Sequence, residues 1–139
     1  MIEGDIVKAL QTAVGAAVQA SIIPAMPIKA IGRTLPNPQP DRYVEIVHVP
    51  NNRQNEYWGS ERTYQGSLRV IVHWPVNDEG VMPGSRFLDS IAAYFTKGRT
   101  LVSGSAKVVI YDVPDATGCL EAGGGLLFPL VIPYRCFAT

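Results

Sequence analysis

The stretch of sequence that most constrains the fold carries a large apolar residue at every second position. From residue 68 to residue 74, within the segment 64–74, these residues are Leu68, Val70, Val72 and Trp74. Successive side chains of a β-strand point to opposite faces, so this spacing predicts a strand with one buried face. The run Arg42–Val49 is equally rich in β-branched and aromatic residues, which favours a second strand paired antiparallel to the first.

The first twenty residues predict an amphipathic helix. Apolar side chains recur there at steps of three and four residues, at Ile2, Ile6, Leu10, Ala13, Val14, Ala17 and Val18. This spacing places them on one face of a helix. Pro24 and Pro27 are expected to end the helix, because proline lacks the backbone N–H that a helix interior needs.

A second helix and a second pair of strands follow. Pro83 suits the first helical turn, and Gly98 is predicted as the C-terminal cap. The predicted buried face consists of Phe87, Leu88, Ile91, Ala92 and Phe95. Lys107–Val113 and Leu126–Phe137 predict the two further strands. The order α-β-β-α-β-β predicts an α+β fold in one domain of residues 1–139, a four-stranded, mainly antiparallel sheet with both helices packed on one face.

Two prolines in the last strand suggest where that strand lies in the sheet. Pro129 and Pro133 are four residues apart, so their backbone nitrogens face the same lateral side of the strand. Neither nitrogen can donate a ladder hydrogen bond. We expect that side to be an unpaired edge, and the subunits of any assembly to meet through loops and helices instead.

The charges of the chain narrow the classes of partner. Twelve basic residues balance twelve acidic ones, so no net field would hold DNA or an anionic membrane. Lys8, Lys29 and Arg33 give the first forty residues a small basic excess, which we interpret as a solvated surface. The acidic start Met1–Asp5 is unlike a signal peptide. We therefore expect a soluble protein made in the cytoplasm, with no direct nucleic-acid binding and no membrane partner.

The low charge content has two explanations. Charged residues make up 17% of the chain, below the roughly one quarter that is usual for soluble domains. This shortfall either leaves surface for a partner subunit to cover or reflects the many prolines and glycines in the loops. Composition does not distinguish the two.

The sequence offers little material for catalysis or for cofactor binding. Its only histidines, His48 and His73, lie in predicted strands without a catalytic signature around them. We interpret them as a structural pair across the two strands, on one face of the sheet. Cys119 and Cys136 lack the spacing of a metal or redox motif and are expected to remain thiols. No enzyme activity, no metal and no cofactor are expected.

Two other groups of residues are also interpreted as structural. Asp78, Glu79 and Asp89 lack the regular alternation of oxygen ligands in a calcium loop, so a solvated turn is predicted. The glycines at 123–125 precede a strand, whereas a phosphate-binding loop precedes a helix. They predict a hairpin connection.

The polar loop of residues 51–62 carries two adjacent aromatic residues, Tyr57 and Trp58. Exposed aromatic residues of this size favour a docking surface. Together with Arg53 and Arg62 they form the candidate interface to another subunit. The alternative is that the flanking strands extend into this stretch and that Tyr57 or Trp58 caps the core of the domain itself. Both interpretations remain open on the sequence.

Three segments, at these separations, resemble a known family. They are Tyr-Gln-Gly-Ser-Leu-Arg-Val at 64–70, Ile-Ala-Ala-Tyr-Phe-Thr-Lys-Gly at 91–98 and Leu-Phe-Pro-Leu-Val-Ile-Pro-Tyr-Arg at 127–135. In combination they resemble the tail terminator and related tail-completion proteins of long-tailed bacteriophages. The resemblance spans most of the chain from Met1 to Arg135, although no single segment is specific.

The resemblance implies a structural virion protein of the tail or neck, made in the cytoplasm of a bacterial host. It implies a homo-hexameric ring that binds the last ring of tail tube protein on one face and the head-tail connector proteins on the other. DNA would pass through the lumen without specific binding. The resemblance implies no enzyme activity. With it, the loop holding Arg53, Tyr57, Trp58 and Arg62 becomes the candidate subunit or tube interface.

Two alternatives remain beside this interpretation. The first is a head-completion or minor tail protein at another level of the neck. The second is a small α/β hydrolase or ligand-binding domain, which would need a concave pocket lined by titratable groups. The scarcity of histidine and cysteine disfavours the second.

Overall fold

The computed structural model describes residues 3–35, 40–50, 63–104 and 106–138. Within these ranges the chain forms two helices, α1 (Glu3–Gln19) and α2 (Met82–Ala92), where the sequence predicts them. The same ranges hold eight strands: β1 (Ile28–Lys29), β2 (Tyr43–Pro50), β3 (Thr63–Pro75), β4 (Thr100–Ser103), β5 (Ala106–Ile110), β6 (Asp115–Ala116), β7 (Leu120–Ala122) and β8 (Gly125–Ala138). The fold is α+β, as predicted.

All eight strands belong to one sheet. Its order is β1-β2-β3-β8-β5-β4, and β6 and β7 also pair with β8. β1 runs parallel to β2, and the other pairings are antiparallel. The predicted pairs β2–β3 and β5–β8 are both present. The prediction of four strands is wrong, because segments that connect the long strands form short strands of their own.

The core lies on one face of the sheet. The alternating residues of β3 are all buried there: Leu68, Val70, Val72 and Trp74. α1 packs against β2, β4 and β5, and α2 packs against β3 and β8. The apolar face predicted for α1 is buried over most of its length, at Ile6, Leu10, Ala13, Val14, Ala17 and Val18. The alternating apolar spacing therefore identified the face that the helices cover.

α2 begins as predicted but ends earlier. Pro83 lies in its first turn, and the helix ends at Ala92, so the prediction of Gly98 as its C-terminal cap is wrong. Gly98 has a φ of 90° and donates its backbone N–H to the carbonyl of Ile110 at 2.6 Å, at the turn into β4. In the described part of the chain, neither helix is long and apolar enough to cross a membrane.

β8 lies in the middle of the sheet, so the predicted unpaired edge is wrong. One side of β8 pairs with β3, and the other pairs in turn with β7, β6 and β5. The carbonyl of Pro129 accepts the N–H of Thr117 at 3.4 Å on this second side, and Pro133, four residues on, faces the same way. Both prolines fall in gaps between the short strands. Their missing N–H groups interrupt the pairing without ending the sheet.

α2 approaches the sheet most closely at Gly84. This glycine is buried in the first turn of the helix. A Cβ atom at its position would stand 2.3 Å from Cε2 of Phe128, a β8 residue whose side chain is 2% exposed. Only glycine therefore allows this separation between α2 and β8.

A second glycine lets a tyrosine of β8 cross over β3. Gly66 is paired with Pro50 of β2 and with Tyr134 of β8. The Tyr134 hydroxyl forms a hydrogen bond with Nε2 of His48 in β2. A Cβ atom at Gly66 would lie 2.7 Å from that hydroxyl and 2.8 Å from the carbonyl oxygen of Val49. The missing side chain leaves the space that the tyrosine occupies.

Candidate interaction surfaces

The two histidines lie on opposite faces of the sheet, so the predicted pair on one face is wrong. His48 follows the buried Ile46 by two positions and lies on the core side, whereas His73 alternates with the buried residues of β3. Nε2 of His73 lies 3.1 Å from Oε1 of Glu45, and its ring stacks on Tyr43 with the centroids 4.1 Å apart. Each histidine thus contacts its own structural partners on neighbouring strands.

The two cysteines are thiols in different environments. Cys119 is exposed between β6 and β7, and Cys136 is buried in β8. Burial raises the pKa of the Cys136 thiol, and the charge of Asp5 raises it further, against the opposing effect of a backbone hydrogen bond at Lys107. Because the thiolate is the reactive form, Cys136 is expected to be inert in the folded chain.

Thiol labelling checks this difference. At pH 7 a maleimide reagent is expected to modify Cys119 in the folded chain and to leave Cys136 unmodified, because Cys136 is both inaccessible and protonated. The intact mass should show one added label, and a second only after denaturation. The Cys119→Ser variant is the control and should take up no label while folded. Rapid labelling of that variant would contradict the burial of Cys136.

The acidic residues and the glycine run have structural positions. Gly123 and Gly124, with φ values of 58° and 78°, form the turn of the β7–β8 hairpin, which confirms the predicted connection. Asp78 and Glu79 lie in an exposed turn, and Asp89 is exposed on α2. Over residues 3–35, 40–50, 63–104 and 106–138, no group of three or more His, Cys, Asp or Glu residues is placed to hold a metal ion.

The predicted interface residues Arg53, Tyr57, Trp58 and Arg62 lie outside the described residues. They belong to the segment that connects β2 to β3. Their role as a contact surface stays a prediction.

A groove beside α1 brings together two basic residues that are distant in the sequence. We call it the α1 groove; its volume is about 570 Å³, and it is lined by Gly4, Val7, Lys8, Gln11, Thr12, Ala30 and Arg33. Oε1 of Gln11 accepts the backbone N–H of Ile31 at 3.3 Å, which joins the helix to the opposite wall. Its lining residues include two cations and no carboxylate.

Sequence reasoning treated these basic residues as one solvated group, but the structure separates them. Lys8 and Arg33 line the α1 groove, whereas Nζ of Lys29 lies 3.6 Å from Oε2 of Glu45 on the sheet. The helical spacing of α1 indicated that Lys8 lies off the buried stripe. Nothing in the sequence pattern indicated that Arg33 returns beside it.

The connection between β3 and α2, together with the first residue of α2, presents acidic and apolar side chains, and we call residues 76–82 the acidic turn. Asn77 braces it: Nδ2 donates to the carbonyls of Pro75 at 3.0 Å and Gly80 at 3.3 Å, and Oδ1 accepts the N–H of Glu79 at 2.8 Å. Asp78 and Glu79 are exposed. The flanking apolar side chains are also exposed: Val76 by 54%, Val81 by 45% and Met82 by 54%. Sequence reasoning identified the turn but did not use the apolar residues on both sides of it, which are the signal for this surface.

Comparisons with known proteins agree with the fold and identify the family. A solved structure superimposes with a TM-score of 0.81, covering 98% of this chain and 96% of the other, at 19% sequence identity. At this identity the likeness shows a shared fold. No curated protein matches the sequence. A family model described as phage tail terminator protein matches residues 5–134. This range includes α2, the acidic turn, all of α1 except its first two residues, and all residues of the α1 groove except Gly4. With nearly the whole chain matched, from α1 to Tyr134 in β8, this protein belongs to the phage tail terminator family.

Proposed function

We propose that the chain forms a homo-hexameric ring that caps the head-proximal end of the tail tube, stops tube polymerisation and provides the surface for head-tail joining. The family match over residues 5–134 carries this proposal. One face of the ring binds the tail tube protein, and the other binds the head-tail connector proteins. DNA passes through the lumen without specific binding, in keeping with balanced formal charges of twelve basic and twelve acidic residues.

The exposed side chains of the acidic turn support a subunit that binds other proteins. Val76, Val81 and Met82 are each about half exposed and lie within seven residues of one another. Contiguous exposed apolar residues on soluble proteins mark contact surfaces. The low charge content of the sequence is explained in the same way, since part of the surface is covered in the assembly.

One edge of the sheet supports assembly through loops and helices. Its strand β4 is four residues long, and such a short edge strand offers little template for pairing with a second molecule. At the other edge, β1 pairs with only Val44 and Glu45 of β2. This argument replaces the one from the prolines of β8, which lie inside the sheet.

The family is one of structural phage proteins, and we propose that the chain has no enzyme activity. We also propose that Arg53, Tyr57, Trp58 and Arg62 form a contact to a neighbouring subunit or to the tube. Large aromatic and arginine side chains dominate the binding energy of protein interfaces, so Trp58 is the strongest of the four candidates.

Native mass spectrometry and phage assembly test the proposal together. The chain is expected to form a species of six times its mass of 15.1 kDa, alone or after addition of tail tube protein. Phage that lack the protein should make tails of uncontrolled length, and the wild-type protein should restore normal tails. Trp58→Ala should weaken ring assembly or tube attachment while leaving the circular dichroism of the monomer unchanged.

Two results would contradict the proposal. Tails of normal length that fail to join filled heads would identify a head-completion protein, the alternative at another level of the neck. If the chain forms no ring, either alone or on tail tubes, the proposed homo-hexameric ring is wrong. If Trp58→Ala assembles like the wild type in light scattering, the loop of residues 51–62 is not the contact.

A further inference from the structure

We infer that the acidic turn of one subunit docks into the α1 groove of the next copy of this chain. The inference rests on the proposed function, because it names two surfaces through which neighbouring subunits of the ring meet. The two surfaces share no residue. A contact between two different surfaces of identical chains is heterologous, and it closes into a ring when the rotation between subunits allows.

The charges of the two surfaces are complementary. Lys8 and Arg33 line the α1 groove, and Asp78 and Glu79 lie on the acidic turn; all four are exposed. In the part of the chain that the structure describes, none of the four takes part in an ion pair. Two cations in the groove thus match two carboxylates on the turn, as expected of surfaces that select each other.

The apolar side chains of the two surfaces also match. The turn is braced by the hydrogen bonds of Asn77, which lowers the conformational entropy lost when it docks. Its exposed Val81 and Met82 need apolar contacts. Val7 and Ala30 supply apolar surface in the groove.

A second copy of the chain explains these surfaces better than DNA does. Binding to DNA depends on many cations that follow the phosphate backbone, whereas the groove presents only Lys8 and Arg33 among its lining residues. A DNA contact would also leave the exposed apolar residues of the acidic turn unexplained. One contact between two copies accounts for both surfaces.

Charge reversal on each surface tests the inference. Arg33→Glu in the groove and Glu79→Arg on the turn should each raise the concentration at which rings dissociate by on the order of tenfold to a hundredfold, because like charges would then face each other. The double variant should recover assembly to within a few-fold of the wild type. Lys97→Glu, at an exposed position outside both surfaces, is the control for net charge and should assemble normally. Sedimentation velocity over a range of protein concentrations measures the concentration at which the rings of each variant dissociate.

The outcomes separate this inference from the proposed function. If the wild type forms rings and both single variants form them equally well, the inference is overturned and the ring stands. If the wild type forms no ring either alone or on tail tubes, the proposed function fails. If Arg33→Glu forms intact rings that no longer attach to tail tubes, the groove binds the tube protein and the inference is overturned. If Arg33→Glu loses only its binding to duplex DNA, the groove binds DNA and the inference is likewise overturned. Circular dichroism verifies that each variant is folded.

Discussion

Replacing Gly84 by alanine is expected to lower the free energy of unfolding by about 3 kcal/mol or more, the upper part of the range for overpacked cores. The added Cβ atom would stand 2.3 Å from Cε2 and 2.6 Å from Cζ of Phe128. Phe128 is buried in β8, so its ring can turn aside only by displacing the close-packed residues around it. The helix must lift away from the sheet or the ring must leave its position. Urea denaturation followed by circular dichroism measures the loss.

A second helical glycine provides the matched control. A Cβ atom at Gly15 in α1 would meet nothing within 4 Å, and Gly15→Ala should stabilise the chain by about 0.5–1 kcal/mol, because alanine restricts the unfolded chain and favours the helix. Phe128→Leu should recover part of the loss in the Gly84→Ala background, since leucine lacks the edge of the ring. Equal stabilities for Gly84→Ala and Gly15→Ala would show that α2 does not approach the sheet this closely.

Gly66→Ala is expected to cost about 2–3 kcal/mol, also by overpacking. The new methyl group would collide with the Tyr134 hydroxyl and with the backbone of β2, 2.8 Å from the Val49 carbonyl oxygen and 3.0 Å from Cα of Pro50. A side chain can turn aside, but a paired strand can move only if its hydrogen bonds to β3 loosen. The change should therefore weaken the centre of the sheet, and the same denaturation experiment measures it.

The neighbouring residue supplies the control for Gly66. Ser67 points to the face of β3 that the helices leave uncovered, so Ser67→Ala should stay within about 0.5 kcal/mol of the wild type. Adding Tyr134→Phe to Gly66→Ala removes the collision with the hydroxyl and leaves the one with the backbone, so only partial recovery is expected. Full recovery would show that the backbone of β2 yields easily and that the tyrosine alone excludes a side chain at this position.

The long elements were predictable because their periodicity extends over many residues. The alternation through Leu68 and Trp74 identified both the strand and its buried face, and the spacing of three and four identified α1. These signals are local, because the periodicity depends only on which side of a helix or strand faces the core. They carry no information about which strand lies beside which, so the position of β8 was inferred from Pro129 and Pro133 alone, and that inference was wrong.

The short strands were missed for different reasons. β4 and β5 form a hairpin around Gly104, whose φ is 56°, and Ser-Gly-Ser between two apolar runs is a recognisable turn signal. β4 was therefore predictable from this signal, although only its partner β5 was predicted. β1 and β6 are only two residues long, and elements so short have no period. Their pairing depends on where the rest of the chain brings them.

The candidate surfaces were predictable only in part. The acidic turn was identified as a turn, and the apolar residues Val76 and Met82 beside it are visible in the sequence, whereas their exposure is seen only in the structure. The α1 groove was not predictable, because the path of the chain after the helix is what brings Arg33 to line the same groove as Lys8. Charge counted along a sequence shows an excess but does not show which charges share a surface.

The central position of β8 affects when the chain can fold during synthesis. Among the described elements β8 comes last in chain order, yet it is the strand that joins β3 to β5, β6 and β7, and it pairs residue 137 with residue 63. Until β8 has emerged from the ribosome, the β2–β3 pair and the β4–β5 pair lack the strand that joins them into one sheet. Pairings over such long separations also form slowly. A nascent subunit is therefore expected to complete its sheet only after these residues emerge, and chains that stop before β8 should not enter the ring.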